Sequence, residues 1–193
     1  MNSYSNITQP LGKTPFLASY SFYEMHSSDP ISATPKRIIE VVSRLDMRED
    51  FVARLMLSLR ELPTRLLHRL FHNKHPDNNA PFGFDSFTKL NETENEISLG
   101  LIGKFWRPDL IIETIHSSDE FYDFSDKSMA KLVLRFQVIE QYNESPILVT
   151  ETFIYCPSLR TKIFFSPYWL VIRLASGWLR KRTLASIKKK LED

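Results

Sequence analysis

The sequence predicts an α+β domain in which a curved antiparallel sheet packs against a long C-terminal helix. Two apolar strand patterns, at residues 130–139 and 147–156, are joined by a short polar turn. A stretch with helical spacing, residues 158–192, follows them directly. Helical and strand patterns are segregated along the chain, which favours an antiparallel sheet over a doubly wound parallel one.

The N-terminal half predicts one strand and then two or three short helices. The strand is predicted at residues 16–27, where side chains alternate in character. Thr34 and Pro35 predict a helix start, since the hydroxyl can cap the helix and proline suits its first position. Asp50 predicts the start of a second helix, and a further helical stretch covers residues 64–72.

Beyond a polar loop the chain returns to strand patterns. Strands are predicted at residues 84–90 and 96–105, with a hairpin turn between them. Gly100 and Gly103 in the second of these indicate a bulge or a bend, which a curved sheet needs. Another strand is predicted at residues 110–116, and an acidic connection leads from it to the final hairpin.

The length and composition predict a single domain at residues 16–193, after a loose N-terminal segment at 1–15. Of the 193 residues, 42% are hydrophobic and 12% aromatic, which is enough for a core. The aromatic side chains either fill that core or line an apolar cavity. A formal net charge of +2 is near balance, so we expect no nucleic-acid partner.

Cysteine usage and hydropathy predict a soluble cytoplasmic protein. Cys156 is the only cysteine in the sequence, which favours a reducing compartment. The first residues are polar and lack the apolar segment of a secretory signal. The longest apolar run, at 163–175, is interrupted by Pro167 and Arg173 and is too short to span a bilayer.

Several segments resemble the START-like, or SRPBCC, superfamily, and more closely an uncharacterised bacterial branch of it. They are LGLIGKFWRP at 99–108, AKLVLRF at 130–136, TET at 150–152, and YWLVIR at 168–173 with SG at 176–177. The resemblance covers about residues 16–192. It implies a helix-grip fold, in which the sheet holds the C-terminal helix over a deep apolar cavity. Pro167 departs from the expected pattern, so the helix either kinks or begins there.

The resemblance implies binding of a hydrophobic small molecule or lipid between the sheet and the C-terminal helix. A cyclase or hydrolase that uses the same cavity, with Glu151 and Tyr168 as acid–base partners, is the alternative. A structural or interaction protein without a pocket is the third hypothesis. No cofactor is expected. The candidate ligand-binding residues are Phe105, Trp106, Arg107, Phe136, Glu151, Tyr168 and Ile172.

Glu151 lies within an apolar strand pattern, and the hairpin register decides its role. In one register it faces Arg135 and forms an ordinary exposed cross-strand ion pair, which is the favoured interpretation. Shifted by one residue, it faces Phe136 on the apolar side. There it would be a desolvated carboxylate able to act as an acid or a base.

The other polar candidates also have two interpretations. Arg107 can bind a ligand carboxylate in a bidentate manner, or pair with Asp109 or Glu151 within the protein. Tyr168 and Trp169 either present their polar groups to a ligand or pack in the core, and packing is favoured.

We predict no metal site. His68 and His72 are spaced to share one helix face, as zinc ligands can. Pro76, however, biases His75 away from helical geometry, and a solvated histidine cluster is favoured. Cys156 is predicted to be a buried, inert thiol.

The C-terminal helix has a basic end. Residues 180–182 and 188–190 are all Lys or Arg, with Trp178 beside the first group. They either contact anionic lipid headgroups or match the negative end of the helix dipole in solvent. We expect no stable membrane insertion and at most a weak contact with an anionic surface.

Overall fold

The computed structural model describes residues 16–44, 87–107 and 111–192, without the side chains of Arg44, Gln141, Ile172, residues 174–183 and Glu192. These ranges form an α+β fold, so the predicted class is confirmed. The strands are β1 (Phe22–Ser27), β2 (Thr88–Glu92), β3 (Glu96–Lys104), β4 (Ile111–Glu113), β5 (Ala130–Gln141) and β6 (Glu144–Tyr155). The helices are α1 (Pro35–Arg44), α2 (Ser118–Asp123) and α3 (Leu159–Glu192).

The strands form one antiparallel sheet in the order β1-β6-β5-β3-β2, and β4 pairs with the end of β3. The longest pairing joins β5 to β6 through the predicted hairpin. Its register sets Arg135 opposite Glu151 and Phe136 opposite Thr150. The register that was favoured from the sequence is therefore confirmed.

The sheet has apolar residues on both faces. We call the face that packs against α1 and α3 the inner face, and the opposite one the outer face. The inner face buries Leu99, Leu101, Phe105, Leu132, Leu134, Phe136, Leu148 and Ile154, together with Ile38 and Val42 of α1 and Phe165 and Trp169 of α3. The outer face buries Leu17, Leu90, Ile102, Ile115, Phe121, Val133 and Phe153. Strands covered on both sides explain the near-continuous apolar runs in the sequence.

The first strand begins later than predicted. The sequence pattern predicts a strand from residue 16, but β1 begins at Phe22. Phe16 has a φ of 57°, which lies in the left-handed region and is incompatible with a strand. Phe16 and Leu17 instead pack against the outer face of the sheet.

The acidic connection before the final hairpin contains α2, which the sequence analysis did not predict. Ser117 and Glu120 have the sequence spacing of a capping box, and Ser117 is the N-cap of this helix. The Ser117 hydroxyl accepts a hydrogen bond from the backbone N–H of Glu120 at 3.1 Å. The Glu120 carboxylate in turn accepts one from the backbone N–H of His116 at 2.8 Å. The spacing of serine and glutamate is a sequence signal that could have found the helix.

A lysine from β5 holds the end of α2. The Lys131 ammonium donates hydrogen bonds to the carbonyl oxygens of Phe121, at 2.7 Å, and Tyr122, at 2.8 Å. Carbonyl groups at the C-terminal end of a helix carry partial negative charge and favour a cation. Desolvation lowers the pKa of Lys131, partly opposed by the nearby charge of Asp123. The contact fixes α2 over the outer face.

α3 begins at Leu159 and continues through Pro167. The Ser158 hydroxyl accepts a hydrogen bond from the Thr161 N–H at 3.1 Å, which caps the first turn. The Ser158 hydroxyl also donates a hydrogen bond to the carbonyl oxygen of Lys127 at 3.1 Å. The Thr161 hydroxyl donates to the same oxygen at 2.7 Å. The helix start is thus tied to the segment that precedes β5, and it does not lie at Pro167.

The two glycines of β3 provide space for close packing. The register shift in this region lies in β2, between Lys89 and Asn91, so the bulge, one of the two predicted alternatives, is not at the glycines. A methyl group at Gly100 would lie 2.8 Å from Leu90 Cδ1. A methyl group at Gly103 would overlap the backbone carbonyl oxygen of Ile111.

We expect Gly103→Ala to destabilise the protein by about 1–3 kcal/mol. Gly100→Ala should cost less, because the new methyl group there meets side-chain ends, which move more easily than the strand backbone beside Gly103. Urea unfolding followed by circular dichroism measures both. An unfolding midpoint equal to that of the wild type for Gly103→Ala would contradict the close approach of β4 to β3.

Candidate functional site

Four polar side chains lie together on the otherwise apolar inner face, where β1 pairs with β6. Glu24 is opposite Thr152, and His26 is opposite Thr150. They belong to the inner face because Phe22, two residues before Glu24, packs into the inner core. Glu24 is 9% exposed, and the two threonines are 2% and 4% exposed. We call these four residues the polar cluster.

The glutamate and the histidine of the polar cluster are in contact. Nε2 of His26 lies 3.0 Å from Oε1 of Glu24. The distance between the two atoms fits an ion pair, but the direction from the imidazole nitrogen to the carboxylate oxygen does not fit a hydrogen bond. Nε2 is therefore buried without a hydrogen-bond partner among the side chains that the structure describes. Since buried polar atoms in native proteins are nearly always hydrogen-bonded, this nitrogen is suited to meet a polar group of a bound molecule.

An aromatic cluster lies where α3 crosses β1 and the end of β3. Phe165 is at its centre and is 1% exposed. Its ring centroid lies 5.4 Å from that of Phe22, 5.5 Å from that of Tyr168, 5.8 Å from that of Trp106 and 6.3 Å from that of Trp169. Burial raises the pKa of the Tyr168 phenol, which therefore stays protonated at neutral pH.

The candidate residues from the sequence divide between the two faces. Phe105 and Phe136 are buried in the inner core, and Trp106 and Tyr168 pack against it. Arg107 is exposed beyond the end of β3. Ile172 belongs to α3, but the structure does not describe its side chain. The three histidines, His68, His72 and His75, lie outside the described residues.

Glu151 lies on the outer face, where it forms the predicted ion pair with Arg135. Arg135 Nε donates to Glu151 Oε2 at 2.8 Å, and a second guanidinium nitrogen bonds to the same oxygen. The Tyr23 hydroxyl donates to Oε1 at 2.7 Å. Desolvation, and then this hydrogen bond to Glu151, raise the pKa of Tyr23. The Glu151 side chain is 0% exposed, so the pair is buried, in contrast to the exposed pair that the sequence predicted.

The buried pair is part of a larger outer-face network. The Arg135 guanidinium lies 5.4 Å from the centre of the Phe153 ring. It also lies 4.0 Å from a carboxylate oxygen of Glu96, whose other oxygen accepts from the Ser98 hydroxyl at 3.0 Å. These contacts neutralise and orient Glu151 within the protein. Because the sheet separates Glu151 from Tyr168, the two residues do not form the acid–base pair of the enzyme alternative.

Cys156 is a free cysteine buried at the edge of the inner core. Burial raises the pKa of its thiol to about 11, against a smaller opposing effect of the hydrogen bond with Ser21. The thiol is therefore protonated at neutral pH and a weak nucleophile. No group of three His, Cys, Asp or Glu within the described ranges is arranged to hold a metal ion.

Sequence reasoning did not select Glu24 or His26 as site residues. A signal for them is nevertheless present in the sequence. Glu24 and His26 alternate with Phe22, so one face of β1 carries Phe, Glu and His side chains. Thr150 and Thr152 likewise flank Glu151 at positions that point to the opposite face.

No protein-family model matches the chain, and neither a curated protein nor a solved structure matches it. The resemblance to the START-like superfamily therefore stays a prediction. Among the helices that the structure describes, none is long and apolar enough to cross a membrane.

Proposed function

We propose that the protein binds a hydrophobic small molecule or lipid on the inner face of the sheet, under α3 in a helix-grip arrangement. The observation that carries the proposal is the polar cluster, set in a face that is otherwise apolar. Ligand sites are mostly apolar, with a few polar groups that orient the ligand. The contact of α3 with both β1 and α1 supports the arrangement, since it encloses this face on two sides.

The polar cluster favours a ligand that carries a hydroxyl or amino group. The Glu24 carboxylate accepts hydrogen bonds, and the Thr150 and Thr152 hydroxyls can donate or accept. Lys and Arg do not occur at the inner-face positions of β1, β5 and β6 in the described chain. The negative charge of Glu24 disfavours a ligand carboxylate at this position of an apolar face.

Dodecanol, dodecylamine and dodecanoate share an alkyl chain and differ in headgroup. We expect the first two to bind more tightly than dodecanoate. Displacement of an apolar fluorescent dye measures their affinities. Glu24→Gln should weaken dodecylamine binding on the order of tenfold, because the charged partner of the ammonium is lost. Glu94→Gln is the matched control, since the Glu94 side chain is 80% exposed on the surface.

The outcomes separate the two parts of this proposal. If none of the three probes binds the folded protein, the proposed function is wrong. If all three bind with equal affinity and Glu24→Gln changes none of them, the inner face binds apolar molecules but the polar cluster does not select the headgroup.

A further inference from the structure

We propose that the exposed face of the first half of α3 docks on an anionic membrane surface. This helix exposes large apolar side chains to solvent, which soluble domains normally bury or scatter singly. They are Leu159 at 74%, Ile163 at 60%, Phe164 at 56%, Leu170 at 63% and Val171 at 42% exposure. We call these five residues the apolar stripe.

The apolar stripe lies on the side of α3 that is turned away from the sheet. Leu159, Ile163 and Leu170 recur at helical intervals, so they share one side of the helix. Phe165 and Trp169 occupy the opposite side and are buried in the inner core. Both sides of the helix are thus apolar, and within the described ranges only the side of Phe165 and Trp169 packs in the core.

The charge of α3 indicates which partner covers the apolar stripe. Arg160, Lys162 and Arg173 are exposed in this half of the helix. The Arg160 guanidinium lies 5.8 Å from the centre of the Phe164 ring, within the stripe itself. Between residues 159 and 191 the sequence contains no Asp or Glu.

A basic helix with Leu, Ile and Phe on one side fits the interface of an anionic bilayer. The apolar side chains enter the boundary between headgroups and acyl chains, while Lys and Arg pair with lipid phosphates. A second copy of this chain fits less well, because two stripes bordered by the same cations would repel each other. Docking through the apolar stripe does not depend on a ligand between α3 and the sheet.

The test is sedimentation of the full-length protein with vesicles. We expect binding to phosphatidylcholine vesicles that contain about one-third phosphatidylglycerol, little binding to phosphatidylcholine alone, and weaker binding at high salt. Ile163→Ser combined with Phe164→Ser should lower the affinity for the anionic vesicles at least about tenfold. Tyr142→Ser is the matched control, since Tyr142 is 93% exposed on the β5–β6 turn and should leave binding unchanged.

Three results would overturn the proposal. One is no sedimentation of the wild type with anionic vesicles, and another is equal sedimentation of the double variant with an unchanged circular dichroism spectrum. The third is a wild-type protein that does not bind vesicles and forms a dimer, together with a double variant that is monomeric. A second copy would then cover the apolar stripe. If the double variant does not fold, Leu170→Ser provides the same comparison at a separate position of the stripe.

Discussion

Replacing Glu151 with Gln is expected to destabilise the protein by about 3–5 kcal/mol. The substitution leaves the Arg135 guanidinium, which belongs to a residue only 5% exposed, without its buried counter-charge. An exposed pair of the kind that the sequence predicted would contribute only ~0.5–1 kcal/mol. Burial increases the effect because water does not replace the lost partner.

Urea unfolding followed by circular dichroism measures this difference. The matched control is Glu92→Gln, which removes an exposed ion pair with Lys89 at 2.7 Å and should cost less than about 1 kcal/mol. A double variant, Arg135→Met with Glu151→Leu, should recover much of the lost stability, since it removes both charges and keeps apolar volume. Equal midpoints for Glu151→Gln and Glu92→Gln would show that Glu151 is not buried in the folded protein.

Phe165→Ala is expected to cost a similar amount, about 3–5 kcal/mol. Phe165 is 1% exposed and contacts the rings of Phe22, Trp106, Tyr168 and Trp169. Its removal leaves a cavity between α3 and the inner face, which the rigid sheet cannot fill by relaxing. The loss therefore combines the transfer free energy of the ring with the cost of the cavity.

The neighbouring residue provides the control for this variant. Phe164 is 56% exposed, and Phe164→Ala should change the free energy of unfolding by no more than about 0.5 kcal/mol. The same chemical change at adjacent positions thus reports which side of α3 packs on the sheet. A larger loss for Phe164→Ala than for Phe165→Ala would mean that the helix is rotated from the described orientation.

The sequence predicted the features that local patterns determine. The β5–β6 hairpin follows from two apolar runs close in sequence, and complementary charges at Arg135 and Glu151 favoured its register. The helix α2 was missed because six residues are too few for a helical period to emerge. Only the capping-box spacing of Ser117 and Glu120 marks it.

Features that depend on distant parts of the chain were not predictable in this way. Burial of the outer face requires Leu17 and Phe121, which come from separate segments, to join one apolar cluster with Val133 and Phe153. The polar cluster likewise depends on the pairing of β1 with β6, which brings His26 opposite Thr150. Local alternation assigns each side chain to a face but does not say which strands become neighbours.

The β6 segment Thr150-Glu151-Thr152 places consecutive residues in two separate environments. Thr150 and Thr152 belong to the polar cluster, and Glu151 lies in the buried outer-face network. If the inner face binds a ligand as we propose, one set of alternate positions can change with the ligand while the other set keeps the domain folded. A combinatorial library restricted to Glu24, His26, Thr150 and Thr152 would vary headgroup recognition and leave the ion pair between Arg135 and Glu151 intact. On a sheet buried on both faces, the proposed binding residues can thus be substituted without removing the outer-face ion pair.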